Sequence, residues 1–256
     1  MALDIKKMKE RLGNQKKGSN VFFSVPKGES IIRIVPFFPN EIATNYFLHY
    51  GINKNPAFLC PKRTDGEYCA VCDFASQMWK ENDPESQKMA KSLFVKKRFY
   101  SPIVVRGSEN EKEIKWWGYP ETLYNEICGI CDDPSYGDIS DIENGTDLIL
   151  KSVLVGKNPF PKLSIKAQRN TSKLFTDISD EECKKLLGNI PDILQFLYKK
   201  TPDQVQELVN KCFLSEGDAE EVSKETRKYS KSSKEENLED EKDDIAKAFD
   251  ELENGV

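Results

Sequence analysis

The sequence predicts an α+β core with its helices gathered towards the C-terminal side, followed by an acidic segment that does not fold on its own. Three observations carry this reading. Runs rich in β-branched and aromatic residues recur between residues 29 and 167. From residue 179 to 213 the pattern changes to helix-start signals and a 3.6-residue apolar period. After Leu214 apolar residues almost vanish.

Residues 1–20 are polar and basic, contain Gly13 and Gly18, and read as a short helix or a mobile arm. Strands are expected over residues 29–35, ended by Pro36, and over 43–50. Residues 51–72 read as a cysteine-rich loop, followed by a helical stretch carrying Phe74, Met78 and Trp79. A long strand is expected over 92–106, with shorter ones over 114–117, 147–155 and 162–167. Ser179-Asp-Glu-Glu182 and Thr201-Pro-Asp-Gln204 both fit a capping box, the second with proline at the first helical position. Val205, Leu208, Val209, Cys212 and Phe213 then form one apolar helix face, and Cys183 and Cys212 are expected in the core. Residues 215–242 hold too few apolar side chains to fold. The end differs: Ile245, Phe249 and Leu252 share one helical face among acids, a pattern that suits a partner groove or arises by chance. The chain thus divides into an arm (1–20), a core (21–214) and a disordered acidic tail (215–256).

Charge follows the same division. Residues 216–256 carry 15 acidic and 7 basic side chains, a balance of −8, against a net charge of −5 for all 256 residues. The rest is mildly basic, and the first 17 residues alone stand at +4. A core that binds polyanions could be shielded by such a tail, since both compete for one positive surface. The longest apolar runs are far too short to span a bilayer, and the N-terminus lacks the apolar region of a secretory signal. A reducing, cytosolic setting is therefore expected. The seven cysteines, an odd number, then point to metal ligation or buried thiols rather than disulfides.

His49 is the single histidine, and Cys60, Cys69 and Cys72 follow it within 24 residues. Zinc prefers tetrahedral sets of cysteine and histidine, and a Cys-x-x-Cys pair places two sulfurs on one ion through a tight turn. One structural zinc is expected at these four residues. With four protein ligands the site is closed, which speaks for a structural ion and against hydrolysis. A second pair, Cys128-Gly-Ile-Cys131, reads as small buried thiols near a helix end. It could also join Cys69 and Cys72 in a four-cysteine site, or act as a redox dithiol. No P-loop or Gly-x-Gly-x-x-Gly signal is present, and no second histidine stands ready for acid–base work.

Single strands are held by a basic groove that follows the phosphates and by aromatic rings on which bases stack. Lys96-Lys97-Arg98-Phe99-Tyr100 has that interleaving on an expected strand, and Trp116-Trp117 forms a second patch. Alternate residues of a strand face opposite sides, so Lys97 and Phe99 should share one face and Lys96, Arg98 and Tyr100 the other. The alternative is that half of these rings are core and the lysines merely solvated.

At these residues the sequence resembles the single-stranded DNA-binding proteins of T-even phages. Gly28-Glu-Ser-Ile-Ile-Arg33-Ile-Val-Pro36 is similar to that family's first strand, and His49, Cys60, Cys69 and Cys72 match its zinc ligands in order. Tyr68 falls at a DNA-contacting tyrosine of the zinc loop, residues 92–98 match the basic strand, and Phe99 and Tyr100 fall on its aromatic pair. The resemblance covers residues 28–105 well and the rest in layout only. It implies an OB-fold core, a five-stranded Greek-key barrel, with a zinc subdomain inserted at about residues 45–90. It implies sequence-nonspecific coating of single-stranded DNA in replication, recombination and repair, in the host cytoplasm if phage-encoded. It also implies a basic arm for self-association and an acidic tail that recruits replication and recombination proteins. Arg33 joins the expected DNA contacts on this basis. Lys6, Lys7, Lys9 and Arg11 are the arm residues, more dispersed than the family's cluster, and Ile245, Phe249 and Leu252 are the docking residues. A non-enzymatic coating protein is the expectation. The rivals are a zinc-ribbon interaction scaffold, as in phage transcription, and a thiol–disulfide enzyme.

Overall fold

The chain is described by a computed structural model over residues 21–37, 41–52, 55–81, 83–156, 161–176 and 178–213. Seven strands form one open, antiparallel sheet: β1 (Gly28–Ile34), β2 (Thr44–His49), β3 (Phe58–Leu59), β4 (Lys96–Val105), β5 (Lys115–Tyr119), β6 (Gly145–Val153) and β7 (Lys162–Ser172). The order is β3-β2-β4-β1-β6-β7, with β5 paired to β4. Among the described residues six helices accompany it: α1 (Pro61–Thr64), α2 (Ala70–Lys80), α3 (Pro84–Leu93), α4 (Glu121–Cys131), α5 (Asp180–Gly188) and α6 (Pro202–Phe213), with a 3₁₀ turn at Ile193–Gln195. The architecture is therefore mixed α+β. No helix among the described residues is long and apolar enough to cross a membrane.

β4 organises the sheet. Its first half pairs with β2 (Phe47 opposite Lys97, Tyr46 opposite Arg98), and its second half pairs with β1 (Val104 opposite Arg33). β5 pairs along its middle. Odd and even residues of β4 point to opposite sides. Phe99 and Ile103 join Ile32, Ile34, Trp117, Leu148 and Leu150 in a core that Leu123 and Ile127 of α4 cover. Tyr100 and Val104 look the other way. They pack under residues 174–193, Tyr100 with Leu48, Trp116 and Ile193, and Val104 with Val35, Leu174 and Phe175. Tyr100 lies flat over Gly118, where a Cβ would sit 2.7 Å from its Cε1. Only glycine leaves room for the ring there.

Several elements depart from expectation. The strand expected over 92–106 starts at Lys96, because α3 takes Ser92 and Leu93. Asp83 caps α3 by accepting from the Ser86 N–H at 2.9 Å, Pro84 occupies its first turn, and Ala90 and Leu93 are buried. The 51–72 loop contains β3 and α1. Of helix α4 the sequence indicated no more than an end near Cys128 and Cys131, not its start at Glu121. Both expected caps are present: Ser179 accepts from the Glu182 N–H at 3.2 Å, and Thr201 and Gln204 bond reciprocally at 3.3 and 3.1 Å. Thr201→Ala should lower stability by about 1 kcal/mol in denaturant unfolding. An unchanged midpoint would show that the cap contributes nothing.

Candidate metal centre and cationic aromatic surface

Three chain segments converge on one point. β2 ends in His49, Cys60 stands just before α1, and Cys69 and Cys72 occupy the cap and first turn of α2. Cys60 Sγ lies 3.5 Å from Cys72 Sγ, and His49 Nε2 lies 3.4 Å from Cys69 Sγ and 3.5 Å from Cys72 Sγ. All four ligand atoms fall within 4.8 Å of one another. A tetrahedral zinc with bonds of ~2.0–2.3 Å needs ligand–ligand edges of about 3.5–3.8 Å, so the cage has the right size. His49 Nδ1 lies 3.0 Å from the Leu93 carbonyl oxygen, which can only accept. That bond holds the proton on Nδ1 and aims the bare Nε2 at the sulfurs. His49, Cys60 and Cys69 are buried and Cys72 is half-buried.

The electrostatics of the four residues are divided: the Cys60 thiol is lowered, whereas hydrogen bonds from Cys60 and Cys69 raise the Cys72 thiol and His49 is raised too, so metal ligation displaces protons from both. Hydrogen bonds from Cys69 and Cys72 hold the Cys60 thiol far below its ordinary value. Burial opposes charge on His49, but bonds with Cys60 and Cys69 outweigh it and raise its pKa to about 9. The N-terminus of α2 adds its partial positive charge beside Cys69 and Cys72. A buried cluster of this kind can hold a metal ion, and the soft, tetrahedral donor set fits zinc. Around it pack Phe58, Val71, Ala75, Leu93, Val205 and Val209.

Cys128 and Cys131 stand apart from this cluster, on α4, so they supply none of its four ligands. The expectation of two buried thiols is corrected: Cys128 is half-buried and Cys131 exposed, because they occupy the helix's last turn. Local desolvation and the neighbouring Cys128 push the Cys131 thiol up to about 11, opposite to an activated redox cysteine. Cys183 is buried as expected, and Cys212 is half-buried against the metal-side core.

The residues expected to touch nucleic acid are divided by the structure. Arg33 is fully buried. Its Nε donates to Asp147 Oδ1 at 2.7 Å, and its Nη2 donates to the Ser172 carbonyl and hydroxyl oxygens at 2.7 and 2.6 Å. It is an interior cation, not a phosphate contact. Phe99, Tyr100, Trp116 and Trp117 are also core, each no more than 6% exposed. Phe99 stacks on Tyr124 at 3.9 Å, and Trp116 Nε1 donates to the Pro191 carbonyl at 3.0 Å. Rings enclosed in this way offer no face to a base, and these four expectations are corrected. Their strands are covered on both sides, which alternation along one strand could not reveal.

Lys96, Lys97 and Arg98 reach the surface, Lys96 exposed and the other two half-buried. Lys97 sides with Phe99 and bonds Glu121 Oε1 at 2.5 Å. Arg98 lies over the Tyr50 ring at 5.5 Å, beside half-buried Tyr46. Among the described residues no carboxylate pairs with Lys96 or Arg98. Tyr46 also lines a cleft of about 320 Å³, bounded by Phe37, Thr44 and Trp116 on one side and by Leu187, Gly188 and residues 190–193 on the other. Phe37, Tyr46 and Tyr50 were missed in the sequence. Their signal was the alternation of residues 46, 48 and 50, but the register against Arg98 was needed to read it. Tyr68 packs on the metal-side core with its hydroxyl 3.4 Å from Asp73 Oδ2, away from this group. Lys6, Lys7, Lys9, Arg11, Ile245, Phe249 and Leu252 lie outside the described residues.

No family model matches this chain, and no curated protein does. The site's chemistry therefore rests on its own residues.

Proposed function

We propose that the chain binds single-stranded DNA as a non-enzymatic coating protein, resembling the phage proteins that serve replication, recombination and repair. One observation carries the reading: Arg98 and Lys96, with which no carboxylate among the described residues pairs, stand beside the half-buried rings of Tyr46 and Tyr50 on one face of the β2 and β4 strands. Cations for phosphates next to rings for bases are what a single strand requires. Duplex-reading elements are not needed, since stacking accepts every base.

In this proposal zinc occupies the His49 and cysteine cage and fixes the end of β2, which carries Tyr46 and is followed directly by Tyr50. The core is OB-like. What supports that is the ten-residue β4, shared among β1, β2 and β5. The basic arm would join neighbours along the strand, and the acidic tail would recruit replication and recombination proteins while competing for the cationic face.

Titration with oligo-dT tests the reading. Tyrosine fluorescence should be quenched, with a log–log salt slope of about −0.7 for each phosphate contacted. Tyr46→Ala should weaken binding by ~1–3 kcal/mol. Removing residues 216–256 should tighten it. No quenching, even in dilute buffer, would refute the proposal.

A further inference from the structure

The sheet face that carries Tyr46 and Arg98 has a second open end. Along β1, β6 and β7 the register places Ile31 opposite Ile149 and Ile149 opposite Lys166, with Val153 opposite Lys162. Ile31 is 37% exposed and Val153 44%, and Leu154 and Val155 follow at 48% and 55%. Lys151, Lys162 and Lys166 stand exposed among them. Among the described residues one carboxylate answers these cations, Glu29 at 3.2 Å from Lys151, in an ion pair open to water and so weakly held. No aromatic ring lies in these rows among the described residues. Aliphatic side chains rimmed by lysines suit a peptide that is apolar on one side and acidic around it.

The chain itself supplies such a peptide. Beyond Phe213, the end of α6, residues 243–252 place Ile245, Phe249 and Leu252 at i, i+4 and i+7, with Asp243, Asp244, Asp250 and Glu251 around them. The intervening residues 214–242 are rich in Ser, Lys and Glu, and a polar linker of that length has a root-mean-square reach of ~30 Å, about the width of a domain. Tethering at that length keeps the segment at roughly millimolar effective concentration over the whole core.

We propose that residues 243–252 dock on the Ile31, Ile149 and Val153 patch of their own chain, held by these apolar contacts and by Lys151, Lys162 and Lys166. The site is separate from the Tyr46 and Arg98 surface, and the inference stands whether or not that surface binds DNA.

Carbodiimide cross-linking of the full chain, followed by mass spectrometry on mixed isotopically heavy and light copies, tests it. Lys151, Lys162 and Lys166 should join the acids of residues 243–251 within single copies. The double variant Phe249→Asp, Leu252→Asp keeps every acid and leaves the core untouched, and it should lose these cross-links. Methyl resonances of Ile31, Ile149 and Val153 should shift between the two proteins. Cross-links that persist in the double variant would mean attraction by charge alone and overturn the proposal. So would cross-links spread over lysines elsewhere, or joining heavy to light copies, or unshifted methyls.

Discussion

Cys60→Ser is expected to strip the chain of its metal and to unfold the region between β2 and β4. The reason is the make-up of that region. The four ligands draw in β2, α1 and α2, and the surrounding core is shared by a few residues of α3 and α6. α1 has four residues, too few to persist without outside support. Structural zinc contributes ~10–16 kcal/mol of apparent folding free energy in small zinc-finger peptides. A whole domain is typically stable by only ~5–15 kcal/mol, so losing most of that contribution exceeds what local packing can replace. Metal analysis should find about one zinc per chain in the wild type and little in Cys60→Ser, with a much lower melting temperature. Serine at residue 60 with full zinc and an unshifted melt would show that the cage is not the site.

The second large effect concerns Asp147. Its carboxylate accepts from Arg33 Nε at 2.7 Å and from Arg106 Nε at 3.1 Å, and it is itself buried. Burial pulls the Arg33 pKa below its ordinary value, and Asp147 acts against that. Asp147→Ala leaves the fully buried Arg33 guanidinium without its counter-charge, a loss of about 3–5 kcal/mol. Arg106 is less exposed to this loss, since Glu111 lies 3.9 Å away and its side chain reaches solvent. Denaturant unfolding of Asp147→Ala and of the double variant Arg33→Met, Asp147→Leu separates the two contributions. The double variant should recover much of the stability, because an apolar pair carries no desolvation penalty. A single variant as stable as the wild type would mean that water, not Asp147, satisfies Arg33.

How far the molecule was legible in its sequence depended on whether the signal was local. The metal cage was readable because its ligands are soft donors of a rare type close together in the chain. The caps at Ser179 and Thr201 were readable for the same reason, since a capping box is complete within four residues. The start of helix α4 escaped because residues 121–131 open on no side-chain cap, only on Pro120. The long strand was right in kind and wrong at its start, where Asp83 and Pro84 launch a helix that ends in residues of strand-like composition. The surface failed residue by residue. Phe99, Tyr100, Trp116 and Trp117 have the composition of a stacking platform, yet two covering layers of the fold make them core. Arg33 could not be assigned without Asp147, 114 residues away.

That separation sets an order of events at the ribosome. At roughly 5–20 residues per second, Arg33 is synthesised about 6–23 s before its carboxylate partner. Throughout that interval the guanidinium remains in water, and β1 has neither β4 nor β6 to pair with until they follow. The four ligands and the Leu93 carbonyl that orients His49 all precede residue 94, so metal capture can begin before α6 packs on the cage and before the sheet closes. A nascent chain is thus expected to be knotted at its middle first and sealed at its beginning last.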